Sequence, residues 1–215
     1  MKQRCIALLG GSFDPVHRGH VALGDYFAKL LFPDELRIIP AGNPWQKQPL
    51  QAAPEHRVAM LKLAFDRLQV PVTIDQQEIQ RQTASYTIDT LRAIRAELGP
   101  EPSLALLMGA DQLQQLHTWK DWQQLFDHAH ICAASRPGFD VADMPPAVAR
   151  EFSRRTAPPE QIRMTPAGLI CLATNLAVDV SSTAIRAALQ DRVDPGALIP
   201  VGVLDYIKQH HLYQN

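Results

Sequence analysis

The chain has no run of apolar residues approaching the roughly 20 that a membrane span needs. No signal peptide is expected at its start either. Met1-Lys2-Gln3-Arg4 runs straight into Cys5-Ile6-Ala7-Leu8-Leu9, an apolar stretch too short and wrongly flanked for a signal peptide. Excess positive charge is missing too: 21 Lys and Arg stand against 22 Asp and Glu, a formal charge of -1. A generally basic nucleic-acid binder carries a surplus, so neither nucleic acid nor membrane is expected as a partner. Only three cysteines occur, Cys5, Cys132 and Cys171, each inside a short apolar run with no second Cys or His at metal-ligand spacing. They read as buried small hydrophobes in a reducing compartment, and the cytoplasm is the expected location. Three familiar motifs are absent as well: G-x-G-x-x-G, G-x-x-x-x-G-K-[ST] and H-E-x-x-H.

What is present is ordinary for a globular protein. A hydrophobic fraction of 46% and a charged fraction of 20% over 215 residues exclude disorder throughout. Proline outnumbers glycine, 17 to 11, which favours many fixed turns. Short continuous apolar runs at Cys5–Leu9, Leu36–Ile39, Val72–Ile74, Leu104–Met108 and Ile131–Ala134 suit strands buried on both faces of a parallel sheet. Between them lie helical spacings over Val21–Leu31, Glu55–Leu68 and Tyr86–Leu98, with Pro54 placed for a first turn and Gly99 for a stop. This alternation predicts an α/β fold: a doubly wound, Rossmann-like parallel sheet with helices on both faces. Proline-rich 137–166 reads as a surface excursion with one helix near Ala147–Arg155. Leu169–Leu172 offers a sixth strand, and Ser182–Gln190 and Val201–His210 two closing helices within 182–215. No linker or repeat divides the chain, so residues 1–215 are expected to form a single domain.

The chemistry concentrates in Gly10-Gly11-Ser12-Phe13-Asp14-Pro15-Val16-His17-Arg18-Gly19-His20, between the first strand and the first helix. Ligands of open parallel sheets bind beyond the carboxyl ends of the strands. The glycine pair lets backbone approach a ligand, and a helix start favours an anion. His17 and His20, three apart, point to one side if both lie in the first turn. Each offers a ring N–H to phosphate oxygens.

This segment resembles the G-G-[ST]-F-D-P-x-H-x-G-H signature of the nucleotidyltransferase superfamily, and Val180-Ser181-Ser182-Thr183-Ala184-Ile185-Arg186 resembles its second signature, [IV]-S-S-T-x-I-R. Pro40, Ser85-Tyr86-Thr87, Gly109-Ala110-Asp111-Gln112-Leu113, Thr118-Trp119 and Ser135-Arg136-Pro137-Gly138 extend the likeness. At this length the pattern is similar to the bacterial nicotinate-nucleotide adenylyltransferases.

The resemblance implies an enzyme that transfers the adenylyl group of ATP to nicotinate mononucleotide, releasing pyrophosphate, in NAD biosynthesis. It implies that Gly10, Gly11, Ser12, Phe13, His17 and His20 hold ATP, with His20 nearest the transferring centre. Ser182, Thr183 and Arg186 would complete the phosphate clamp. Asp111 would accept from ribose hydroxyls, and Arg136 would line the nucleotide site. Lys47 would meet phosphate, although Gln46 stands where the family more often has His. Thr87, Trp119 and Lys120 would take the pyridine mononucleotide. Magnesium is implied as the companion of ATP, with no protein ligand named, and the chain would be a monomer or a small homo-oligomer. Open alternatives are a phosphopantetheine or nicotinamide-mononucleotide adenylyltransferase, or a catalytically silent nucleotide binder of the same fold. Taken without the resemblance, Ser182 and Asp111 read as helix caps, and Trp119 with Trp122 as core residues on one helical face.

Overall fold

The computed structural model describes residues 3–44, 49–135, 138–174, 176 and 180–214. Six parallel strands form one sheet: β1 (Cys5–Gly11), β2 (Glu35–Pro40), β3 (Val72–Ile74), β4 (Ser103–Gly109), β5 (His130–Ala134) and β6 (Ile170–Ala173). Their spatial order is β3-β2-β1-β4-β5-β6, all pairs parallel. The expected doubly wound α/β architecture is therefore present. The order in which strands are added reverses between β1 and β4, which opens a crevice at their carboxyl ends, the place where such sheets receive ligands.

The longer helices are α1 (Arg18–Leu31), α2 (Pro54–Ala64), α3 (Thr87–Leu98), α4 (Pro146–Arg155), α5 (Ser182–Gln190) and α6 (Val201–Gln209). Strand residues alternate between two cores because successive side chains leave a pleated strand on opposite sides. Ala7 and Leu9 join Leu23, Phe27, Met60, Ile185 and Val203, so α1, α2, α5 and α6 cover one face. Ile6 and Leu8 join Ile88, Leu91, Ile94 and Val148, so α3 and α4 cover the other. All three cysteines are buried.

One expectation needs correction. The helix over Glu55–Leu68 stops at Ala64, with Phe65 as its C-cap. Within the proline-rich excursion, residues 138–166 pack against the body at several points. Met144, Val148 and Ile162 are buried, Ser103 Oγ donates to the Ile162 carbonyl at 2.7 Å, and Arg163 Nη1 donates to the Leu31 carbonyl at 2.6 Å. Its prolines start helices more than they interrupt them: Pro146 and Pro159 occupy first turns, where the missing N–H costs nothing.

His130 fastens this segment to β5. It is fully buried; its Nδ1 accepts from the Leu169 N–H at 3.1 Å, and its Nε2 faces the Thr165 carbonyl at 2.8 Å. The neutral ring protonated at Nε2 satisfies both contacts. Burial depresses its pKa below 6.5, against a smaller opposing effect of the Thr165 carbonyl. Between the folded value and 6.5 the unfolded chain therefore binds more protons, so the stabilisation is complete above 6.5 and is lost as pH falls to the folded value. Urea midpoints measured at pH 7.5 and 5.5 are expected to drop less for His130→Asn than for the parent chain. Identical drops would remove His130 as the source.

Candidate active site

A cavity of about 830 Å³ occupies the crevice, lined by the glycines that end β1 and β4, the start of α1, the start of α5, and the segment around Ser85 and Trp119. Gly10 borders it, and a Cβ built there meets nothing within 4 Å. Any side chain at this position would project into ligand space. Beyond the strand, Phe13 turns left-handed at φ 49 and is buried, its ring edge-on to His20 at 4.8 Å. His17 is the N-cap of α1 and His20 its third residue. Their rings stack at 3.7 Å with 25° between planes, so the two do fall on one side. The His17 N–H donates to His20 Nδ1 at 3.2 Å. With Nδ1 occupied as an acceptor, a neutral His20 carries its proton on Nε2.

The backbone of this turn is held from behind at three carbonyls. Arg57 Nη1 donates to Ser12 at 2.9 Å, Arg186 Nη1 to Asp14 at 2.6 Å, and Ser182 Oγ to Pro15 at 3.0 Å. Arg186 Nη2 also reaches Thr183 Oγ1 at 3.3 Å. The cap of α5 is Ser181, which accepts from the Ala184 N–H at 3.2 Å, so Ser182 is not the cap. Ser182, Thr183 and Arg186 all line the cavity, as expected, and Ser182 and Arg186 tie the two signatures together. Arg57 is fully buried, and burial draws its pKa down against the pull of nearby Asp14. The Asp14 carboxylate accepts from the Gln51 and Ala52 N–H groups at 2.7 and 3.0 Å and from the Tyr213 hydroxyl at 2.7 Å.

Across the crevice, Thr87 is the first residue of α3 and lines the cavity with Trp119. Trp119 and Trp122 do not share a helical face. Trp119 follows one 3-10 turn and Trp122 opens another, separated by Asp121 at φ 48. Only Trp119 of the two borders the cavity. Its Nε1 is buried with no hydrogen-bond partner among the described residues. Lys120 lies away from the cavity lining, with Nζ 3.0 Å from Asp89 and over the Tyr86 ring. Asp111 borders the cavity as the first residue of a short helix capped by Ala110, so its carboxylate is not the cap. Lys47, with Trp45 and Gln46, and Arg136 lie outside the described residues.

Sequence reasoning missed Glu78. It lines the cavity, accepts from Thr90 Oγ1 at 2.7 Å, and burial raises its pKa against hydrogen bonds from Thr90 and Ser85. Ser85 Oγ accepts from the Gly42 and Asn43 N–H groups at 3.2 Å each. Gly42 sits so close to the Glu78 carbonyl that a Cβ would overlap it. The neighbouring Ser85-Tyr86-Thr87 was the available signal; Glu78 itself stands in a stretch without periodicity.

The cytidylyltransferase-like family pattern matches residues 8–188, a span that contains both signatures. The chain belongs to the cytidylyltransferase-like family. Relatives of this family member include two proteins named "Probable nicotinate-nucleotide adenylyltransferase". The one from Herminiimonas arsenicoxydans is 68% identical over 214 residues, covering 99% of this chain and 98% of its own length. The one from Laribacter hongkongensis is 44% identical over 210 residues, covering 98% and 94%. Among solved structures, a Plasmodium falciparum nicotinic acid mononucleotide adenylyltransferase complexed with NaAD superposes with a TM-score of 0.76, covering 98% of each chain at 18% identity. At that identity the likeness is one of fold.

For a cytidylyltransferase-like site the arrangement has a clear division of labour. One wall offers imidazole and guanidinium donors with an accessible helix start, suited to phosphate oxygens. The other offers an aromatic edge, hydroxyls and a helix start, suited to a flat polar group.

Proposed function

We propose that the chain transfers the adenylyl group of ATP to nicotinate mononucleotide, yielding nicotinate adenine dinucleotide and pyrophosphate, as a step of NAD biosynthesis in the cytoplasm. The observation that carries this reading is the stacked His17–His20 pair in the first turn of α1, braced through its turn by Ser182 and Arg186, facing Trp119 and Thr87 within one cavity. Residues 1–215 act as one nucleotidyltransferase unit, a reading favoured by one sheet with a core on each side.

A phosphate oxygen of the acceptor attacks the α-phosphorus, and the bond from that phosphorus to the bridging oxygen of pyrophosphate breaks. The nucleophile is already an anion at neutral pH, so no general base is required. The obstacle is crowded negative charge, and catalysis is a matter of alignment and preorganised donors. His20 Nε2–H and the Arg186 N–H groups not used on Asp14 and Thr183 supply those donors; His17, Ser182 and Thr183 orient the triphosphate. Lys47 and Arg136 add positive charge to the same anion.

In this reading ATP would arrive with magnesium, whose positive charge would offset the negative charge of the phosphates. The acidic residues of the cavity wall are Asp14, Glu78 and Asp111, on three separate segments. Among the described residues no three metal-binding side chains lie together. The donors present suit an ion carried by ATP and water rather than one caged by protein.

Selection of the acid over the amide form requires donors without competing acceptors near a ring held flat. Trp119 offers the plate, and Thr87 with the α3 start offers the donors. An amide leaves a donor unpaired, at about 1–3 kcal/mol each. Pyrophosphate release from ATP is to be measured with nicotinate mononucleotide, nicotinamide mononucleotide and phosphopantetheine in turn. The acid is expected to lead the amide in kcat/KM by roughly one to two decades or more, a lead that Trp119→Ala and Thr87→Ala shrink. Equal efficiency would overturn the specificity and leave adenylyl transfer standing. Release with none of the acceptors would overturn the enzyme.

A further inference from the structure

We infer that Tyr213 is a positioning residue for the ATP side of the cavity, acting through Asp14; this rests on the adenylyl-transfer reading above. Tyr213 lies beyond α6 and borders no part of the cavity. Its side chain nevertheless packs into the core formed by α1, α2, α5 and α6, and its hydroxyl donates to Asp14 Oδ1 at 2.7 Å. Burial and the Asp14 carboxylate both push the Tyr213 pKa far up, so the group is a permanent donor at working pH.

Asp14 is the junction of the site. Only 3% of it is exposed. Its two oxygens accept three hydrogen bonds, from Gln51, Ala52 and Tyr213, while its own carbonyl accepts from Arg186. A buried carboxylate keeps one orientation only while its acceptor sites are engaged, because the desolvated charge otherwise turns to whatever donor remains. Arg57 is the donor at hand. It is fully buried beside Asp14, with Nε and Nη2 lacking hydrogen-bond partners among the described residues. Loss of the tyrosine hydroxyl leaves Oδ1 with the Ala52 N–H alone, opens its second acceptor site to Arg57, draws Arg57 from the Ser12 carbonyl, and disturbs the turn that seats His17 and His20.

The acceptor side has separate supports. Thr87 and Trp119 line the cavity beside a separate set of contacts, in which Ser85 Oγ accepts from Gly42 and Asn43 and Thr90 donates to Glu78, none of them made by Tyr213. Loss of the hydroxyl therefore falls on one substrate. Tyr213→Phe keeps the ring and its packing. It is expected to raise the KM for ATP about tenfold, as for loss of one hydrogen bond to a charged group, with the KM for the mononucleotide within about twofold. Hydrogen exchange at the Gln51 and Ala52 amides, read without substrate, is expected to quicken in the same variant. Asp14→Asn is expected to shift both readouts in the same direction.

Unchanged KM for ATP and unchanged exchange, with only a lower melting temperature, would make Tyr213 a packing residue and overturn the inference. Equal rises in both KM values would do the same. If the parent chain transferred no adenylyl group, the function would fall first, and the exchange measurement would still test the Tyr213–Asp14 link.

Discussion

Replacing His20 by Ala lowers kcat by at least about 100-fold, the scale of losing one preorganised donor at a centre of developing charge. The geometry adds a reason specific to this chain. His20 Nδ1 is occupied by the His17 N–H, which leaves Nε2 as the proton-bearing edge and fixes the ring in stacking contact with His17. ATP affinity is expected to fall far less, because the glycine turn and the α5 start also line the cavity and would share the proposed contacts with ATP. Single-turnover rates and equilibrium ATP binding separate the two. Near-normal turnover would exclude His20 from the transition state. An equal loss in affinity and rate would make it a binding residue.

Arg186→Ala is expected to lower kcat/KM for ATP by about 10²-fold or more. The side chain has two duties, and both end together: it offers charged donors to the cavity and it holds the Asp14 carbonyl at 2.6 Å. Arg186→Lys separates them. A lysine keeps the charge but cannot serve the Asp14 carbonyl and Thr183 at once in the geometry of a planar fork. It should recover part of the affinity and little of the rate. Full recovery by Lys would show that charge alone matters.

The strands and the first signature were legible because their physics is local. A buried parallel strand is a continuous apolar run, and Cys5–Gly11 followed by Phe13-Asp14-Pro15 and a helix start declares itself within a dozen residues. Long-range pairing left no such trace. Nothing near Asp14 announces a hydroxyl from position 213, and nothing near Glu78 announces Thr90 and Ser85. The Ser181–Ser182 division was hidden for a different reason: two adjacent serines compete for one cap, and only the extended backbone at Ser181 decides it. Trp119 and Trp122 showed helical spacing, but the left-handed backbone at Asp121 interrupts the helix that the spacing implied.

The contacts that brace the signature turn join distant parts of the chain. Ser182 lies 167 positions from Pro15, Arg186 lies 172 from Asp14, and Tyr213 lies 199 from Asp14. During synthesis, β1 and α1 leave the ribosome before these partners, which follow 167 to 199 positions later. The side of the cavity that carries Thr87 and Trp119 has its supports between residues 42 and 119 and can assemble sooner. A nascent chain therefore completes one side of the cavity, with β4 already paired to β1, well before the other side is braced. Non-local closure of this kind is slow and leaves apolar strand surface open. A chain ending short of position 213 would keep the Arg57, Ser182 and Arg186 contacts to this turn and leave the Asp14 carboxylate without its tyrosine donor.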